Sequence, residues 1–111
     1  MSGDVIDEDM IEAAVRVLLS HQEDPRRLVR LLVTQWPHAS ALQIIHVISV
    51  VAGTLEHMLA GPVAERSAQD AWRMAGLVGV DLYAMEQMAI PNTTARDLMA
   101  YWLVHDRFFL I

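Results

Sequence analysis

The stretch SALQIIHVISVVAGTLEHMLAG, residues 40–61, decides the fold. Its middle, Gln43 to Val51, is rich in isoleucine and valine and could pass for a strand. Projected at about 100° per residue, however, Ile44, Ile45, Val47, Ile48, Val51, Ala52, Leu55, Met58 and Leu59 fall within one arc of roughly 160°. That is the period of a helix with one buried face. A strand here would also lack a partner, because no other segment has comparable β-character. Ser40-Ala41-Leu42-Gln43 has the S-x-x-Q form of a capping box that opens such a helix, and Gly61-Pro62 ends it.

The flanking segments read the same way. Asp7 caps a first helix that runs to about Ser20, with Ile6 and Ile11 at the spacing of a hydrophobic staple. Asp24-Pro25 starts a second, which must stop near Trp36 ahead of Pro37. Pro62 is the first-turn residue of a long fourth helix reaching about Ala89, with Pro91 closing it. From Met74 to Met85 that helix is apolar nearly all round, the pattern of a central helix covered on more than one side. Thr94 and Asp97 form a second capping-box pattern for a last helix, expected to continue to residue 111. The expected fold is therefore all-α: one domain over residues 1–111, a single compact bundle of about five helices, with residues 1–6 as a mobile acidic lead.

Composition excludes several function classes. Without cysteine there is no disulfide, thiolate nucleophile or Cys-ligated metal site. All eight cationic side chains are arginine, so a Schiff-base or Walker lysine is absent too. A net charge of −6 disfavours nucleic acid as a partner. The acidic N-terminus lacks the pattern of a secretory signal, which predicts a cytoplasmic location. The apolar runs Ala41 to Leu55 and Met74 to Ile90 are too short and too polar in places to predict a membrane span. The Lys-free, Ala/Val/Leu/Arg-rich composition suggests a bacterial source. Hydrophobic residues make up 54% of the chain, above the roughly 45–50% that soluble domains reach even with glycine counted in. A domain of this length buries only about two-thirds of its unfolded surface, so some of that excess is left for a partner molecule or a ligand.

No segment carries a catalytic signature. The serines sit in neither G-x-S-x-G nor S-x-x-K, and Glu-x-x-His and His-Glu-x-x-His do not occur, so no catalytic residue, metal ligand or cofactor is assigned. Five weaker candidates remain. His46 and His57 share a helix face with small and polar neighbours, but eleven residues rise about 16 Å, too far for one ion to bridge. Asp81, between Val80 and Leu82, and Glu86 are carboxylates in apolar surroundings; Asp81 could handle a proton or orient a ligand, or else pair with an arginine or a helix N-terminus or simply face outward. Arg26, Arg27 and Arg30 cluster at the start of the second helix, as an anion or partner rim or as partners for the acidic residues around them. Ala71, Ala75 and Gly79 make a smooth ridge suited to close helix packing, within the chain or against a twin. Trp102, Phe108 and Phe109 lie in the densest aromatic stretch, either as interface anchors or docked over the core. Together these point to a non-enzymatic helical module acting by self-association, expected as a homodimer, and by contact with another protein. A small-ligand- or metal-binding bundle using His46/His57 or a pocket near Asp81 and Glu86 is the alternative.

Overall fold

The computed structural model describes residues 2–19, 24–58 and 61–111, with side chains from Asp7 onward and excepting residue 58. It contains five α-helices and a short 3₁₀ turn: α1 (Ser2–Leu19), α2 (Arg26–Gln35), α3 (Ala41–Met58), α4 (Pro62–Gln87), α5 (Ala95–Val104) and η1 (Phe108–Leu110). No strand occurs among the described residues, and the all-α bundle expected from the periodicity is what the chain forms. None of these helices is long and apolar enough to cross a membrane.

The deciding stretch is α3. Ile44, Val47, Ile48, Val51, Ala52 and Leu55 are all fully buried and form the core face; Ile45 is half-buried at its edge, and the side chains of residues 58 and 59 lie outside the described ones. Ser40 caps the helix by accepting the Gln43 N–H at 2.9 Å. The Gln43 side chain does not close the capping box. It reaches 2.6 Å to the Asp7 carboxylate, tying α3 to α1. Asp7 is accordingly not a cap, since α1 already opens at Ser2 and residues 2–6, expected to lead into the helix, belong to it. The end of α1 expected at Ser20 lies outside the described residues.

α2 opens at Arg26, one residue later than expected, with Pro25 in the cap position and Asp24 Oδ1 accepting the Arg26 N–H at 3.0 Å. α5 has the full capping box: Thr94 Oγ1 accepts the Asp97 N–H at 3.2 Å, and Asp97 Oδ2 accepts the Thr94 N–H at 3.1 Å and the Thr93 N–H at 2.9 Å. These bonds hold the Asp97 carboxyl below the usual range, the backbone bond from Thr94 most of all. The amides of Ala95 and Arg96 at this helix start find the Ala39 and Pro37 carbonyls, and an isolated bridge between Ser40 and Thr94 fastens the start of α3 beside the start of α5.

α4 ends at Gln87 in a Schellman arrangement, with Ile90 N–H on the Met85 carbonyl and Ala89 N–H on that of Glu86. Its left-handed position is Ala89, at φ 57°, where glycine is the usual occupant.

α3 and α4 run antiparallel and form the most extensive pairing in the molecule, and α1, α2 and α5 pack onto that pair. The molecule measures 42 × 33 × 19 Å. Its short dimension is about two helix layers, so α4 is covered on one side only. Val80 and Tyr83 are 63% and 65% exposed, and Trp72 is exposed beside them. The expectation of a helix covered on more than one side is thus corrected: the second cover that its sequence calls for is not supplied by the described chain.

α5 also departs from expectation. It stops at Val104 rather than running to residue 111. The chain turns at His105–Arg107, where Asp106 Oδ1 accepts the Phe108 N–H at 3.1 Å. The reversal brings the Phe109 ring to 4.7 Å from that of Trp102. On a continued helix those two residues would lie about 10 Å apart along the axis, and Phe109 would lose this core contact.

Candidate interaction surface

On the uncovered side, Trp72, Gly76, Gly79 and Tyr83 of α4 lie within an arc of about 60°. Alongside runs the outward edge of α3, with Leu42, Ile45, Ser49, Gly53 and Glu56. The two edges are in register: Trp72 Nε1 donates to Glu56 Oε2 at 3.1 Å at one end. At the other end Leu42 and Ile45 line a groove of about 560 Å³ together with Gly79, Leu82, Tyr83 and Glu86, with Ser40, Asn92 and Thr93 at its mouth. Leu42 there is 73% exposed. The result is a trough with large apolar side chains at its ends and small residues between them.

The glycines give the trough its meaning. A glycine inside a helix costs about 0.5–1 kcal/mol relative to alanine, and close packing is the usual reason to keep one. A Cβ added at Gly53, Gly76 or Gly79 would meet no atom within 4 Å. Nothing among the described residues fills that space. The small-residue ridge read from the sequence therefore divides: Ala71 and Ala75 are buried in the core, whereas Gly79 opens into the trough.

The aromatic anchors divide as well. Trp102 and Phe109 are 0% and 1% exposed and belong to the core. They are docked within the chain and cannot anchor a partner, which corrects one of the two roles read for them. Phe108 stays exposed, set edge-on to Phe109 at 5.2 Å between ring centres. The Arg26 guanidinium lies 5.0 Å from the Phe108 ring centre and donates to the Phe108 carbonyl at 3.1 Å. Arg26 also bonds Asp24 through Nε at 2.8 Å, and this side-chain bond keeps the Asp24 carboxyl below its usual range. The arginine cluster is thus in part a clasp on the C-terminal segment: Arg30 Nη1 approaches the Ile111 carbonyl oxygen at 3.5 Å, while Arg27 lines an open groove with Leu31 and Thr34.

Asp81 is buried, at 7% exposed, and its partner is neither an arginine nor a helix terminus. Its Oδ2 accepts the Trp102 indole N–H at 2.8 Å. Burial pushes this carboxyl up, the indole bond opposes the shift, and the charge of Asp106 reinforces it. Asp81 borders a cleft of about 240 Å³ with Asp106, Leu77 and Phe108, whereas Glu86 faces the trough on another side of α4. The two carboxylates do not share a pocket.

His46 and His57 are both exposed on α3, and His57 Nε2 lies 3.4 Å from Glu56 Oε1. Among the described residues no three histidine or carboxylate side chains are grouped as metal ligands. Leu42, Trp72 and Tyr83 were not singled out by the sequence. The signal that could have found them is the apolar circumference of α4 combined with two glycines spaced three apart on the side opposite Asp81. Comparison with protein-family models, curated proteins and solved structures returns no match for this chain.

Proposed function

We propose that the chain is a non-enzymatic helical interaction module whose α3/α4 trough takes a helix from a second protein molecule, either a twin of this chain or a different partner. The observation that carries this is the set of three helical glycines whose missing side chains leave space that no described residue fills. An approaching helix packs at 8–10 Å between axes, closer where the residues are small. The exposed Leu42, Trp72 and Tyr83 supply the large apolar and aromatic contacts that anchor interfaces, and the excess of hydrophobic residues over a typical soluble domain is consistent with such a use.

The test uses two substitutions at one position. Gly79→Ala adds a methyl group into open space, so it should raise stability by about 0.5–1 kcal/mol. Gly79→Arg should leave the melting temperature near that of the wild type while blocking the trough. Native mass spectrometry of the purified protein and affinity capture with tagged wild type and Gly79→Arg then report association. Loss of the dimer, or of a stoichiometric partner, in the arginine variant alone supports the proposal. Association that ignores Gly79→Arg, or a fall in stability with Gly79→Ala, overturns it.

A further inference from the structure

The charges around the trough select its occupant. The acidic side chains around the trough are Glu56 at the Trp72 end, with His57 Nε2 3.4 Å from it, Glu86 at the Tyr83 end, and the exposed Glu65 one turn pair beyond Trp72 on the same line of α4. The arginines of α4, Arg66 and Arg73, lie about 100° around the helix from that line, and no lysine exists in the chain. From Glu65 to Glu86 is 21 residues by their numbers, about 32 Å of helix. A second copy laid along the trough in either direction would set a carboxylate-bearing end against another, in a chain already at net −6.

We infer that the occupant is an amphipathic helix of a different protein, about six turns long, with a small-residue or apolar face and basic side chains near both ends. This rests on the trough being a helix-binding face and adds the identity of the helix. The apolar floor and the glycine gap accept the face of such a helix, and Glu65, Glu56 and Glu86 meet its arginines or lysines. Each exposed ion pair contributes modestly on its own, but like charges at both ends penalise the wrong partner, so the effect is on selection as much as on strength.

The experiment uses two labelled helical peptides of about 22 residues, long enough for the span, with identical alanine–leucine faces. One carries arginines in its first and last turns and the other carries glutamates there. Fluorescence anisotropy at low salt is expected to show the arginine peptide binding about tenfold more tightly, or more, with the preference fading in high salt as screening shortens the reach of the charges. In a Glu65→Arg/Glu86→Arg protein the preference should invert. Equal binding of both peptides overturns the charge selection and leaves the helix-binding face standing. A Gly79-dependent dimer that binds neither peptide makes a second copy the occupant and overturns the inference while keeping the proposed function. Failure of both peptide binding and self-association overturns both.

Discussion

Asp81 is the residue at which burial, charge and packing meet. The folded state favours its neutral form, so its stabilising contribution is complete below the ordinary carboxylate range, near about pH 4, and is lost as pH rises through the higher folded value. Asp24 and Asp97 act in the opposite sense. Their carboxyls are held low by Arg26 and by the Thr94 amide, so what they contribute is present above the usual carboxylate range and is lost as pH falls through their folded values. Asp81→Asn keeps an oxygen for the Trp102 N–H and removes the charge. Urea unfolding across pH should find this variant more stable than wild type at pH 7, with the difference closing below about pH 4. A difference that stays constant with pH would show that the charge at this position has no energetic role.

Among the elements, α5 and the turn after it separate local from non-local instruction. Phe109 sits against Trp102 in the core, so Phe109→Ala should cost about 3–5 kcal/mol. Phe108→Ala, which trims an exposed ring beneath Arg26, should cost less than about 1 kcal/mol. Similar losses for both in denaturant melts would mean that the Arg26 clasp, rather than the Trp102 contact, holds this segment. The same helix shows what could be read in advance. Its start was legible because Thr94 and Asp97 are three residues apart and satisfy one another's backbone. Its end was not, because no glycine or proline marks Val104 and the turn is set by a ring contact seven residues away in sequence. Ser40 was legible as a cap for the same local reason. The departure of Gln43 to Asp7 was not, since it depends on where α1 lies.

At the scale of the molecule, periodicity identified the five helices but not their layering. A helix apolar on all sides reads as central, and only the two-layer thickness of 19 Å shows that one side of α4 lacks a neighbour. The trough was hidden in the sequence for that reason: Gly79 and Tyr83 look like packing residues until the rest of the described chain fails to pack on them.

The position of Trp72 makes the trough visible by its own light. Trp102 lies in the dark interior, bonded to Asp81, and Trp36 is half-buried beside Pro37, Ala39 and Gln43. Trp72 stands in water at the trough edge with its indole N–H on Glu56. An occupant that strips this water should shift the Trp72 emission to the blue and shield it from iodide, with no label attached. Titrating the arginine-ended peptide into a Trp36→Phe protein isolates that signal. An unchanged spectrum at saturating peptide would place the contact elsewhere on the surface.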